Sequence, residues 1–299
     1  MSRQLRAWPK FIVFLVVTGG AIWIVNGVVQ RAVYAPDPNI AATPAGIGLA
    51  FDNVAIQTPD GVTLHGWFLP AGDEKGEAAG RAHPTVLFLH SNRGNVGAGL
   101  PKLQALHDAG LNVFTFDYRG FGKSNGTPSE RGLNLDALAA YFHVTGKYAV
   151  PPDRLFLYGE GLGAAVAIQL ATQMPAAGMI TEGAFTSLPD VLEIKPSFIP
   201  WRLLLFRNQF NALVKIKRIR MPLLLLHSSQ DDVVPYRQAE QLFFYAANPK
   251  QLVPVTGTHD TAFAQSKDLI REQITAFVDK TNGPAAAHEQ PTASAGQTP

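Results

Sequence analysis

A mostly parallel β-sheet with helices on both faces is what this sequence predicts, and three observations carry it. An opening hairpin is followed by repeated strand-then-helix stretches. The inner strands are continuous apolar runs, as expected of strands covered on both faces. A polar or glycine-rich segment follows nearly every strand. In such sheets the chemistry collects at the carboxyl ends of the strands.

The elements follow in order. Val54–Thr58 and Val62–Leu69 form a hairpin about Pro59-Asp60-Gly61. Thr85–His90 is a strand, Pro101–Ala109 a helix and Asn112–Asp117 a strand. Leu133–Val144 is a helix, Arg154–Tyr158 a strand, Ala164–Gln173 a helix and Gly178–Thr181 a strand. Leu223–His227, Tyr236–Ala246 and Gln251–Val255 read as strand, helix and strand. Asp268–Asp279 closes the chain as a helix, with Leu269, Ile270, Ile274, Phe277 and Val278 on one face. Between Thr186 and Met221 lies an insertion containing the apolar stretch Phe198–Phe206, expected as a cap over the pocket at about 186–221. Phe198 and Trp201 are its candidate substrate-binding residues, on an acyl-binding or membrane-facing surface, or else they pack on the sheet.

The chain has 299 residues, 46% of them apolar and 16% charged, enough for a sizeable core. A net charge of +2, with one short basic run at Lys215–Arg220, gives no nucleic-acid footprint. Cysteine is absent, so there is no disulfide framework and no cysteine metal site. No His, Asp and Glu cluster has metal spacing, and no cofactor is expected.

At the N-terminus, Arg3, Arg6 and Lys10 precede Phe11–Val29, a run without a charged residue. At ~1.5 Å per residue it spans about 28 Å, close to the hydrocarbon thickness of a bilayer. Residues 1–34 are therefore expected as a single-pass membrane anchor, N-terminus in the cytoplasm and the body of the chain on the outer side. A cleaved signal peptide is the alternative, although the only Ala-type exit, Val33-Tyr34-Ala35, is followed by Pro36. Residues 35–49 read as a linker, 50–281 as the globular domain, and 282–299 as a disordered tail.

The strand ends carry polar signatures in a telling order: His90-Ser91-Asn92-Arg93-Gly94-Asn95, then Asp117-Tyr118-Arg119-Gly120-Phe121-Gly122-Lys123-Ser124, then Gly159-Glu160-Gly161-Leu162-Gly163, then Asp231-Asp232-Val233-Val234-Pro235, then Gly257-Thr258-His259. Together these resemble the α/β-hydrolase superfamily, and most of all the membrane-anchored serine hydrolases of its serine aminopeptidase-like and depalmitoylase-like branch. That branch has H-G-N-x-G-N, D-Y-R-G-x-G-x-S, G-x-S-x-G, D-x-x-[VI]-P and G-x-H at these places. Two positions depart from it: Ser91 replaces the loop glycine, and Gly161 replaces the nucleophilic serine.

The resemblance implies Asp231 as the acid that orients the base, His259 as the base, and an oxyanion hole from the Leu162 N–H and one from the Ser91–Asn92 region. It implies fold survival but no covalent catalysis at Gly161, since glycine has no hydroxyl. A water activated by His259, or a displaced nucleophile at Ser91, would be needed for turnover. Two other readings stand beside this one. Gly159-x-Gly161-x-x-Ala164 with Glu182 is a dinucleotide-type fingerprint, though it does not open the first strand–helix unit and leaves Asp231 and His259 without roles. Alternatively the pocket holds a lipid-like ligand or partner without catalysis. His90 is expected to orient its own loop, Asp117 and Arg119 to pair beneath the site, and Ser124 and Ser187 to be ordinary turn residues.

Overall fold

In the computed structural model of the chain, the described residues are 30–73, 75–193 and 200–282, with isolated positions at 20 and 27–28. Eight strands form one sheet: β1 (Asp52–Gln57), β2 (Thr63–Leu69), β3 (Thr85–Leu89), β4 (Asn112–Phe116), β5 (Leu155–Glu160), β6 (Gly178–Glu182), β7 (Leu223–Ser228) and β8 (Lys250–Val255). Their order is β1-β2-β4-β3-β5-β6-β7-β8. β2 is antiparallel to both neighbours, and the other adjacent pairs are parallel.

Every residue of β3 and β4 is buried. Because side chains alternate across a strand, Leu87, Leu89, Phe114 and Phe116 enter one core and Val86, Phe88 and Val113 the other. This explains the continuous apolar runs in the sequence.

The helices are α1 (Gly76–Ala82), α2 (Leu100–Asp108), α3 (Glu130–Lys147), α4 (Leu162–Ala171), α5 (Leu188–Leu192), α6 (Trp201–Leu204), α7 (Ala212–Ile216), α8 (Tyr236–Tyr245), α9 (Ala262–Gln265) and α10 (Lys267–Asn282). α3, α4, α7 and α8 pack on one face through Leu133, Ile168, Ile216 and Leu242. α2 and α10 cover the other through Leu103, Leu106, Ile270, Ile274 and Phe277. Leu269, expected on the buried face of α10, is instead 39% exposed. Ser129 starts α3, its Oγ accepting the Gly132 N–H at 3.1 Å, a cap worth about 1 kcal/mol.

One predicted pairing is corrected. Arg119 and Asp117 do not pair with each other. Arg119 forks to Asp136 at 2.7 Å and to Asp60 in the hairpin turn at 2.8 Å. Asp117 instead accepts the Val96 N–H at 2.8 Å and lies 3.3 Å from His65 Nδ1. Two carboxylates already satisfy the guanidinium, and the Asp117 carboxylate serves the loop after β3.

The stretch expected as a linker is docked. Ala35–Pro36 pairs in parallel with Arg93–Gly94. Val33 and Tyr34 are buried, and Tyr34 Oη donates to Asn208 Oδ1 at 3.0 Å. Residues 30–39 thus form a strap across the carboxyl edge of the sheet. Among the described residues no helix is long and apolar enough to cross a membrane. The apolar run expected to span the bilayer, and the tail from residue 283, fall outside them.

Candidate active site

β5 ends at Glu160 and α4 starts at Leu162, so one residue, Gly161, makes the whole turn, with φ 54° and ψ −114°. That backbone is costly for any residue with a Cβ. The flanking glycines are required by proximity. A Cβ on Gly159 would strike the Gly163 carbonyl and the Ala164 backbone, and one on Gly163 would strike the carbonyls of Leu89 and His90. The Gly161 N–H donates to the Glu182 carbonyl at 2.9 Å. This is the sharp strand-to-helix turn that presents a nucleophile in hydrolases, built around a residue that has none.

The predicted acid and base come together at the neighbouring strand ends. His259 Nδ1–H donates to Asp231 Oδ2 at 2.8 Å. Asp231 Oδ1 accepts the N–H groups of Val233 at 2.9 Å and Val234 at 2.7 Å. A carboxylate only accepts, so the proton sits on Nδ1 and leaves Nε2 basic. Burial alone would push the Asp231 pKa up. The His259 hydrogen bond and the backbone donors outweigh it and hold the pKa below the usual value. The hydrogen bond to Asp231 raises the His259 pKa against the opposing effect of burial, with Asp260 and Glu160 adding to the rise. His227 also faces Asp231, at 3.8 Å. It donates to the Val234 carbonyl at 2.8 Å, and burial holds it neutral by lowering its pKa. Its role is to shape the loop. Gly183 packs beside the base with φ 60°, a backbone that favours glycine, and a Cβ there would make only ordinary contact with His259 Cε1 at 3.6 Å.

Across from the dyad lies the loop after β3. His90 is buried and donates from Nδ1 to the Ser91 carbonyl at 2.7 Å, so it does orient this loop. Asn92 Nδ2 donates to the Val33 carbonyl at 2.6 Å, and the Asn92 carbonyl accepts the Ala35 N–H at 2.9 Å. Leu162 is the first residue of α4, where an N–H has no intrahelical acceptor, which suits an oxyanion. Ser124 and Ser187 are local: Ser124 Oγ donates to the Asp117 carbonyl at 2.6 Å, and Ser187 caps α5.

Ser91, Asn92, Gly161, Leu162 and His259 all line one cleft of about 490 Å³. Phe185, Leu188, Val191, Leu192, Val233 and Phe263 supply its apolar wall. Trp201 is not among the lining residues. It is 8% exposed and belongs to the core, so its indole packs inward from the cap segment. Phe198 lies outside the described residues.

Two features of the cleft escape sequence reasoning. Lys102, on α2, places Nζ 2.8 Å from Glu160 Oε1 and 2.9 Å from Glu182 Oε2. Tyr158 Oη donates to Glu182 Oε2 at 2.6 Å. Burial would lower the Lys102 pKa, but the two carboxylates outweigh it and keep the ammonium charged. No local motif marks a helical lysine whose partners lie on two strands remote in sequence. Glu182 is therefore engaged by Lys102 and Tyr158 rather than free for a ribose, and Gly161 follows the fifth strand rather than the first, so the fingerprint does not describe a dinucleotide site. The second feature is the strap, which brings Ala32 into the cleft lining.

A sheet with this crossover, carrying a His–Asp dyad opposite a strand-to-helix elbow, defines a hydrolase-type scaffold. The family model for serine aminopeptidase, S33, matches residues 80–215. The chain is 34% identical to Rv2307c of Mycobacterium tuberculosis over 278 residues, 91% of this chain and 96% of that protein. It is 32% identical to YfhR of Escherichia coli K12 over 276 residues, 90% of this chain and 94% of that protein. It is also 32% identical to the alpha/beta hydrolase domain-containing protein WAV2 of Arabidopsis thaliana, over 74% of this chain and 77% of that protein. The Pyrococcus furiosus esterase Pf2001 shares the fold, with a TM-score of 0.68 at 21% identity, over 83% of this chain and 97% of that one. The chain belongs to the α/β-hydrolase superfamily.

Proposed function

We propose that the chain is a membrane-tethered protein of the serine ester, thioester and amide hydrolase lineage, whose cleft takes an acyl-type ligand and whose position 161 has lost covalent chemistry. The observation that carries this reading is the 2.8 Å His259–Asp231 bond lining the same cleft as the elbow. A buried carboxylate with two backbone donors and one imidazole is an orienting acid in form. The cleft wall of Phe185, Leu188, Val191 and Leu192 suits an acyl chain. The uncharged run Phe11–Val29 supplies the tether, with the hydrolase domain on the outer side.

The same apolar wall favours a second reading, in which the cleft holds a lipid-like ligand without turning it over. The test is to put the hydroxyl back. The double variant Ser91→Gly with Gly161→Ser is expected to react with a fluorophosphonate probe at residue 161 and to cleave short p-nitrophenyl esters. Adding His259→Ala is expected to remove both. A folded double variant that does neither would leave the binding reading standing.

A further inference from the structure

The two departures from the hydrolase motifs meet at one point in space. A Cβ built on Gly161 would lie 2.8 Å from Ser91 Oγ and 3.6 Å from Ser91 Cβ. A serine at 161 would carry its own hydroxyl one C–O bond beyond that Cβ. Ser91 therefore places a hydroxyl within contact distance of the point where a side chain at 161 would begin. The two positions are also coupled: a side chain at 161 meets Ser91 Oγ at a distance that requires the hydroxyl to turn aside. Glycine at 161 makes room, and serine at 91 takes it.

We propose that Ser91 is the nucleophile of this cleft, relocated from the elbow to the loop after β3; this rests on the hydrolase reading of the site. Three further observations support it. Ser91 Oγ is loosely held, donating to Asn92 Oδ1 at 3.3 Å, so it can turn toward another acceptor. Its backbone is braced from both sides, by His90 on the Ser91 carbonyl and by the strap on Asn92. A nucleophile needs such fixed support. The oxyanion donors also survive the exchange. At an elbow, the N–H after the nucleophile and one from the opposite loop hold the oxyanion. With Ser91 attacking, Asn92 is the residue after the nucleophile and Leu162 opens the helix on the opposite side, so the same two N–H groups serve with their roles exchanged.

The chemistry balances with groups already in the cleft. Ser91 Oγ forms a bond to the acyl carbon as its proton passes to His259 Nε2, while Asp231 holds the Nδ1–H. The carbonyl π bond opens to an oxyanion. It re-forms as the bond to the leaving alcohol, thiol or amine breaks, and that group takes the proton from Nε2. Water then repeats the sequence on the acyl-serine, releasing the acid and restoring Ser91.

The experiment is active-site labelling of the full chain in mild detergent with a fluorophosphonate, followed by peptide mapping. The wild type is expected to carry the adduct on Ser91, and Ser91→Ala to lose it without a change in melting temperature. Because the chain contains no cysteine, Ser91→Cys adds a single thiol. Its alkylation by iodoacetamide at pH 6 is expected to slow at least tenfold when His259 is also changed to Ala, which a structural loop residue would not do. Wild-type protein that stays unlabelled while Ser91→Gly with Gly161→Ser is labelled would overturn Ser91 as nucleophile and leave the hydrolase reading intact. An adduct mapping to another residue would overturn it equally. A folded wild type and a folded double variant that both stay unlabelled would overturn the two readings together.

Discussion

Gly161→Ala isolates the conformational demand of the elbow. A φ of 54° with ψ of −114° is adopted at little cost only by glycine, and forcing a Cβ onto it costs about 1–3 kcal/mol. The added methyl also meets Ser91 Oγ. Chemical denaturation is expected to show a loss in that range, smaller in a Ser91→Gly background, so that the two changes are not additive. Additive losses would place the two residues further apart than described. The second prediction at this scale concerns pH. His259 accepts a proton only when Nε2 is bare, so reaction with an electrophilic probe rises as pH rises through its pKa. The Asp231 hydrogen bond raises that pKa against the effect of burial, and the midpoint of the rate profile is expected above the ordinary histidine value of about 6.5. Asp231→Asn removes the partner that raises it. The midpoint is expected to fall and the rate to drop by about 10⁴, both read from a stopped-time labelling series across pH.

Among the elements, the strap is the one whose composition disguises it. Pro, Ala and Gly between 35 and 49 offer no apolar period, and the partners that hold the segment lie far along the chain. Asn95 Nδ2 donates to the carbonyls of Asp37 at 3.0 Å and Asn39 at 2.9 Å, and the Gly122 N–H donates to the Asp37 carbonyl at 3.2 Å. Removing residues 1–29 spares these bonds, and the resulting domain is expected to melt as a unit. Removing 1–39 strips Val33 and Tyr34 from the core and frees the side chain of Asn92. A lower melting temperature and slower probe labelling are expected, measured on the two truncations side by side. Equal behaviour would show that the strap supports neither the fold nor the loop. The strands are the opposite case. Thr85–Leu89, Asn112–Phe116 and Leu223–Ser228 are buried throughout and mostly apolar because both faces are covered, and that burial is written locally. The same holds for the site residues at their ends, which stand in motif order. What local reading misplaced were side chains with two chemically sensible destinations. Trp201 could face a ligand or the core, and Arg119 could take Asp117 or the more distant Asp136. Only the packed structure chooses, because the partners are remote in sequence. Lys102 had no motif at all.

At the scale of the molecule, the cap and the sheet make different contributions, and ligand linkage separates them. If the cleft takes an acyl chain, a long-chain fatty acid raises the melting temperature by mass action, stabilising the folded state by about 2.7 kcal/mol at a hundred times its dissociation constant. Val191→Asp places a charge in the apolar wall and is expected to abolish the shift. Trp201→Ala is expected to lower the stability of the unliganded protein by about 3–5 kcal/mol, as for other buried aromatics, while a shift with fatty acid persists. A fatty-acid shift lost in Trp201→Ala alone would return the indole to the cleft.

The strap also fixes a length. Ala32 lines the cleft, and the uncharged run ends three residues earlier, at Val29. Three residues of fully extended chain reach no further than about 11 Å. If that run is the tether proposed above, the domain sits on a leash only a few residues long, and the cleft mouth cannot swing far from the headgroups. An acyl chain that tips out of the bilayer then meets the site by lateral diffusion in a plane, without a search through water. Substrate supply would be governed by surface density in the membrane rather than by concentration in solution.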